Sequence, residues 1–258
     1  MAEPAAPRVT RLAWESEHFG FPVGRIGDPA LDKRGLGEAL VAARAEGYRL
    51  IVWSTTRDVS LSDALLGKFA GAHVDAKTTF VRSLGETERH SGSAEMQERG
   101  RRQGALIEPY TGATAGDDLI RLALAAGVYS RFRVDPRCPR EKFESLYRLW
   151  IERSVRHELA DEVLAARMSP ESPACGMITL TMSEAVGSIG LIAVDDQVRG
   201  QGVGRALVEA GLDWMRSRGA REARVVTQGA NEPACRLYRR SGFAVGRVEQ
   251  VYHFWVGG

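Results

Sequence analysis

The stretch 198-VRGQGVGRAL-207 places Gly200, Gly202 and Gly204 at alternate positions, with Arg199 and Arg205 beside them. What surrounds it decides how it reads. The apolar run 190-GLIAVD-195 enters it at strand length. The segment 204-GRALVEAGLDWMRSRG-219 leaves it, with Leu207, Gly211, Trp214 and Met215 at helical spacing and Gly219 as a stop. A glycine loop alone is compatible with a plain turn. Between a strand and a helix N-terminus it is also a cradle for an anion. The first amides of a helix lack intrahelical partners, and the macrodipole adds partial positive charge. Glycines let a ligand approach the backbone closely, and the two arginines add charge. The spacing is neither that of a dinucleotide-binding loop nor that of a Walker loop, because Gly204 is followed by Arg-Ala.

Composition bounds the rest. The chain has 258 residues, 44% hydrophobic and 26% charged, which suits a globular protein with a real core. A net charge of +2 gives no clustered basic excess, so no nucleic-acid partner is expected. No apolar run approaches a bilayer span, and the N-terminus lacks a secretory layout, so no membrane partner is expected. Cys138, Cys175 and Cys235 are odd in number and far apart, which predicts neither a disulfide framework nor a metal site. The simplest reading is a soluble, cytoplasmic protein.

The segment 86–104 is rich in Glu, Arg and Gly and lacks aromatic or β-branched apolar residues. It reads as a linker between a small N-terminal α/β domain (1–85) and a second domain (105–258); a charged surface helix near Ala94 is the alternative. The N-terminal region alternates a helix (33–47), a strand (49–56), a helix over 60–74 capped by Ser60 or Ser62, and a strand (77–84). The C-terminal region opens with a strand (105–110) and a helix (115–127), then an amphipathic run with Phe143, Leu146, Tyr147, Trp150, Ile151 and Val155 on one face. Strands follow at 161–168, 176–184 and 187–195, and after the helix from 204 come a strand (221–228), a short helix (231–242) and a final strand (250–256).

The order Arg199-x-x-Gly202-x-Gly204, then Asn231, Ala234, Leu237, Tyr238, Gly242 and Phe243 about 30 residues on, closely resembles the GNAT N-acetyltransferases. That resemblance implies an α/β (α+β) fold with a central mixed, mostly antiparallel sheet flanked by helices, and acetyl-CoA as co-substrate without a metal. By the same resemblance, backbone groups of Ile192 and Val194 would pair with the pantetheine arm. Amides of Gly200, Gln201, Gly202, Val203, Gly204 and Arg205, next to Arg199, would hold the pyrophosphate. Asn231 would hydrogen-bond the pantetheine or acetyl end, and Tyr238 would face the thioester sulfur. Arg239 and Arg240 either reach the adenosine phosphate or simply lie on the surface. A phenol near pKa ~10 giving its proton to a thiolate near ~8.5 faces an uphill step of roughly 2 kcal/mol. The Tyr238 hydroxyl is therefore expected to act chiefly as a hydrogen-bond donor to the departing thiolate.

The acceptor has to be read elsewhere. The stretch 129-YSRFR-133, the helix after it, and 12-LAWESEHFGFPVGRI-26 resemble dTDP-fucosamine (dTDP-4-amino-4,6-dideoxygalactose) N-acetyltransferases. Arg131 and Arg133 suit a diphosphate clamp, and Phe132 or Tyr129 suits stacking on a pyrimidine. A basic surface loop, ended by Asp135-Pro136, is the alternative. No general base stands out. His18, His73, His90, His157 and His253 are scattered, with no carboxylate at telling spacing, so an ordered water is expected to take the proton. The expectation is direct acetyl transfer to the amine of a nucleotide-linked amino sugar, in a small-molecule enzyme for which a homodimer is one option. The rivals are a GNAT enzyme acting on a protein N-terminus or other small amine, and a coenzyme A-binding regulator without turnover.

Overall fold

A computed structural model describes residues 9–56, 61–85 and 105–257. The linker expected over 86–104 and the capping residue Ser60 lie outside them. The elements run β1 (Val9–Arg11), α1 (Ala13–Phe19), β2 (Val23–Ile26), α2 (Lys33–Ala45), β3 (Leu50–Thr55), α3 (Asp63–Lys68) and β4 (Gly71–Ser83). Then come β5 (Leu106–Pro109), α4 (Asp117–Ala126), α5 (Arg131–Val134), α6 (Arg140–Val155), β6 (Glu162–Arg167), β7 (Gly176–Ser183) and β8 (Val186–Val194). A short 3-10 turn leads to α7 (Val203–Ser217), β9 (Glu222–Gln228), α8 (Glu232–Arg240) and β10 (Ala244–Trp255). Among the described residues no helix is long and apolar enough to cross a membrane.

The ten strands form one sheet in the order β1-β2-β3-β10-β4-β9-β8-β7-β6-β5. Only the β2–β3 and β8–β9 pairs are parallel among the described strands, so the sheet is mixed and mostly antiparallel, as expected. Strand alternation sorts its two faces. Leu164 and Ala166 of β6 join α7 and α8 in one core, while Val163 and Ala165 join α4 and α6 in the other. A further core seats α2 on β3 and β10 through Leu36, Leu40, Trp53 and Phe254. Each such fully buried large side chain contributes roughly 1.5–3 kcal/mol by leaving water.

The sheet does not stop at the boundary between the two regions. β10 lies between β3 and β4, and β4 pairs antiparallel with β9 from Lys77↔Gln228 to Ser83↔Glu222. The small N-terminal α/β unit expected from sequence therefore has no sheet of its own. Its strands extend the sheet of the C-terminal region.

Two element readings shift. The helix expected over 60–74 is only α3, capped by the Ser62 side chain accepting the Leu65 N–H. The chain turns at Ala70, which has φ 44°, and the rest becomes strand. Gly71 sits so close to Phe254 that a β-carbon would come within 2.7 Å of its ring. Pairing along β10, from Gly71↔Phe254 to Asp75↔Val251, outweighs the weak preference of a short helix. β10 also begins at Ala244 rather than at 250; residues 244–248 are exposed and carry no apolar alternation, so periodicity does not reveal them. The stretch 131–133, for which a basic surface loop is the alternative reading, is a single helical turn, α5.

Candidate active site

The site begins where two parallel strands part. β8 and β9 pair from Val186↔Glu222 to Ile189↔Val225 and no further. The cause lies on the other side of β8, where Gly190 and Leu191 together oppose Thr179 between the Ile178↔Ile192 and Leu180↔Ile189 pairs. Thr179 Oγ1 accepts the Leu191 N–H at 2.8 Å in place of a ladder bond. A bulge of this kind bends and twists its strand, here away from β9. It requires glycine, because a β-carbon at 190 would lie 2.7 Å from Thr179 Oγ1. The Asp195 N–H bonds the Cys175 carbonyl on the β7 side, so by alternation the amides of Ile192 and Val194 face the opening.

The glycine loop lies at the end of that opening. Gly200 and Gly202 have φ of 81° and 88°, which β-carbon-bearing residues rarely adopt. Gly204 differs, since a β-carbon there would make ordinary contacts with Leu237 and Val194. No side chain caps α7, and its first helical bond runs from Ala206 N–H to the Gly202 carbonyl. The amides of Val203, Gly204 and Arg205 are thus without intrahelical acceptors. Arg199 folds back on the loop, donating to the Val194 carbonyl at 3.1 Å and pairing with Asp196 at 2.6 Å. Gln201 donates to the Gln197 carbonyl, Val203 is buried, and Arg205 pairs with Glu209.

Beside the parted strands lies a cavity of about 600 Å³. Ile192, Asn231 and Tyr238 line it, with Arg131 and Phe132 from α5. Tyr238 packs on Phe80 and Phe243, with ring centroids 5.6 and 5.9 Å away. Burial raises the pKa of its hydroxyl above the ordinary phenol range, so it stays protonated. The Asn231 side chain caps α8, its oxygen accepting the Ala234 N–H at 3.2 Å. That leaves its amide hydrogens as donors at the cavity wall.

The N-terminal region supplies the facing wall, and with it a residue that sequence reasoning missed. Asp75 on β4 is half-buried in the cavity. Burial pushes its carboxyl up to about 6, against the opposing pull of Arg131, Lys77 and the Ala76 and Gly229 amides. A carboxylate tuned toward neutrality beside an acceptor space is suited to taking a proton. Nothing in its local sequence marks it, because the partners that tune it come in part from the end of β9 and from α5.

Arg131 is held from behind by a chain of buried groups. It donates to Glu15 Oε1 at 2.7 Å and contacts His253 Nε2 at 2.9 Å. His253 Nδ1 lies 2.7 Å from Asp135 Oδ2, which also accepts the Trp255 indole N–H at 2.9 Å. Guanidinium has only donors, so Nε2 must accept and Nδ1 must carry the hydrogen given to Asp135. Burial pushes the His253 pKa down and keeps it neutral. Burial works against the Asp135 charge, but hydrogen bonds from His253 and Trp255 hold it below the usual carboxylate range. His253, which has no carboxylate at telling spacing in the sequence, is fully buried against one, and Asp135 is no mere loop end.

Asp135, Cys138 and His253 bring donor atoms within 4.8 Å of one another, a grouping with the chemistry to hold a metal ion. Here the histidine and aspartate bond each other, and burial pushes the Cys138 thiol up to about 12, far from thiolate.

The diphosphate clamp expected from Arg131 and Arg133 is not assembled. Residues two apart on a helical turn point to opposite sides. Arg131 enters the cavity with Phe132, whereas Arg133 is exposed, and neither it nor the half-buried Tyr129 lines the cavity. The arginines that share the cavity with Arg131 are Arg25 on β2 and Arg247 on β10.

Comparisons with known proteins bear on this geometry. Residues 127–243 match the model of the acetyltransferase (GNAT) family. The chain is 40% identical over 73 residues to a mycothiol acetyltransferase of Nocardiopsis dassonvillei, a match spanning 28% of this chain and 22% of that protein. It is 38% identical over 72 residues to N-alpha-acetyltransferase 30 of Schizosaccharomyces pombe, 28% of this chain and 47% of that one. The chain thus covers less than half the length of either relative. Among solved structures, a tandem GNAT protein from the clavulanic acid biosynthesis pathway superposes with a TM-score of 0.55 at 16% identity, over 93% of this chain and 77% of that one. A GCN5-related N-acetyltransferase from Sphaerobacter thermophilus gives 0.58 at 17%, over 97% and 76%. At such identities these likenesses show a shared fold.

Proposed function

We propose that the chain, whose residues 127–243 match the acetyltransferase (GNAT) family model, moves an acetyl group from acetyl-CoA to the primary amine of a small acceptor. The observation that carries this reading is a single cavity, at the mouth of the parted strands, lined by a protonated tyrosine and a carboxylate near neutrality. In this proposal residues 105–258 hold the coenzyme, and residues 1–85 complete the acceptor wall. Amides from Gly200 to Arg205 bind the pyrophosphate, Ile192 and Val194 pair with the pantetheine arm, and Asn231 steadies its end.

Asp75 takes the proton of the acceptor ammonium, directly or through one water, and the freed amine attacks the thioester carbonyl. An amide at Ile192–Val194 steadies the oxyanion of the tetrahedral intermediate. Tyr238 then donates a hydrogen bond to the departing thiolate, which takes up the second proton lost by the attacking nitrogen, so that amide and free thiol result. This reading gives Asp75 the proton-accepting role that sequence alone left to an ordered water. No acyl-enzyme is involved, because burial pushes the Cys235 thiol up and away from thiolate.

For the acceptor, the resemblance of 129-YSRFR-133 and 12–26 supports a dTDP-linked 4-amino-4,6-dideoxy sugar, with Phe132 and Arg131 in the cavity. The names of the two relatives favour a second reading, a peptide N-terminus or other small amine. A regulator without turnover is disfavoured by the presence of both Tyr238 and Asp75 in the lining of one cavity. A thiol-release assay with acetyl-CoA against dTDP- and UDP-linked amino sugars, free amino sugars, peptides and polyamines separates these. Turnover confined to nucleotide sugars supports the first reading, and turnover confined to peptides or polyamines replaces it with the second. No thiol release with any amine overturns the acetyl-transfer reading.

The loop carries its own prediction. A β-carbon at φ near 88° costs about 1–2 kcal/mol unless the loop relaxes and withdraws its amides. Gly202→Ala is expected to weaken coenzyme A binding by about tenfold in an equilibrium titration. Gly204→Ala, which meets only ordinary contacts, should bind within about twofold of wild type.

A further inference from the structure

The cavity is electrostatically lopsided. Four cationic side chains line it, Arg25, Lys77, Arg131 and Arg247, against two carboxylates, Asp75 and Glu249. Glu249 already pairs with both Lys77 at 3.3 Å and Arg247 at 3.1 Å, which places those cations together at one end. Arg25 and Arg131 lie close enough to repel one another, so that Arg25 helps depress the Arg131 pKa. Among the described residues Arg25 makes no ion pair or side-chain hydrogen bond, and it is exposed to the cavity. Two guanidiniums facing one space without an anion between them raise each other's energy, and a bound anion lowers it.

The groups behind Arg131 hold it in this position. Glu15 takes one guanidinium nitrogen with Oε1, while its Oε2 is buried with no partner. His253, fixed by Asp135, takes another nitrogen. A guanidinium kept there only for packing would need neither a second arginine nor a partner carboxylate with one oxygen unsatisfied.

We propose that Arg25 and Arg131 form an anion subsite on the acceptor side of the cavity, so that the acceptor carries an acidic group, phosphate or carboxylate, beside its amine. This rests on the acetyl-transfer reading for the use of the site. The subsite replaces the expected Arg131–Arg133 pair with one drawn from both regions of the chain. Glu15 sets its strength by partly neutralising Arg131, and the acidic group is held in the cavity that Tyr238 also lines.

The test uses the full chain saturated with coenzyme A, which fills the glycine loop. Sodium phosphate and sodium acetate are titrated in separate arms against a sodium chloride control of equal ionic strength. The fluorescence of Trp150, at the cavity wall, reports binding. Saturable binding of either anion beyond the chloride control is expected, and the tighter one identifies the acidic group. Arg25→Met should weaken it at least tenfold while coenzyme A affinity and thermal midpoint stay at wild-type values. Glu15→Gln, which keeps the hydrogen bond and removes the charge, should tighten it about fivefold. A response no greater than chloride, an Arg25→Met protein that binds as wild type, or weaker binding after Glu15→Gln overturns the proposal. Failure of the acetyl-transfer reading shows separately, as absent thiol release from acetyl-CoA with any amine; the two variants then still report on the subsite.

Discussion

Asp75→Asn is expected to lower kcat/KM by about 10²–10⁴-fold, the range lost with a general base. The pH dependence identifies the cause. In the wild type, kcat/KM should rise through about pH 6 as Asp75 loses its proton and level off above it. In the asparagine variant that limb should vanish, because amide has no proton to lose. The stability sign runs the other way from activity. Burial raises the folded-state pKa of Asp75 above that of the unfolded chain, so the folded state holds this proton more tightly. The Asp75 contribution to stability is therefore full below the ordinary carboxylate pKa and declines as pH rises through about 6. Asparagine removes the buried charge, and the thermal midpoint at about pH 8 should equal or exceed that of wild type. A large activity loss in a protein at least as stable cannot be attributed to unfolding. An acid limb that persists in Asp75→Asn would falsify the assignment.

Tyr238→Phe is expected to cut kcat by about 10²-fold or more, comparable to removing one donor from an oxyanion hole. The phenyl ring still fills the place between Phe80 and Phe243, so little packing is lost. Because burial raises the Tyr238 pKa further, full proton transfer to a thiolate is more uphill than for a phenol in water. The hydroxyl acts as a hydrogen-bond donor, and its loss should depend on the leaving group. An acetyl thioester of a more acidic thiol, whose thiolate needs less help, should narrow the gap between variant and wild type. Equal kcat for Tyr238→Phe and wild type with acetyl-CoA would remove Tyr238 from the mechanism.

The C-terminal region was largely legible in the sequence because its signals are local. The left-handed glycines at 200 and 202 and the Asn231 cap each act within a few residues of themselves. A strand-loop-helix order was enough to place the coenzyme side. The acceptor side was not legible, because Arg25, Asp75 and His253 acquire their character from groups far away in the chain. Asp75 is one aspartate among many until β9 and α5 close over it. His253 gains its carboxylate only when Asp135, 118 residues earlier, folds against β10. The arginine pair failed for a simpler reason, since two positions apart on a turn of helix face opposite ways. The missing strand reading at 244–249 has a similar origin: an exposed, charged strand shows no apolar period.

The position of β10 has a consequence for how the chain comes together during synthesis. Its two neighbours, β3 and β4, leave the ribosome before β5 to β9, and the strand that fills the slot between them follows after those. Until it arrives, β3 and β4 present edges with unpaired backbone groups, and β4 has its other neighbour, β9, only shortly before. Pairing across such sequence separations carries a large loop-closure cost and slows folding. Splitting the gene between the two regions would strand the acceptor wall without the strand that knits it to the coenzyme side.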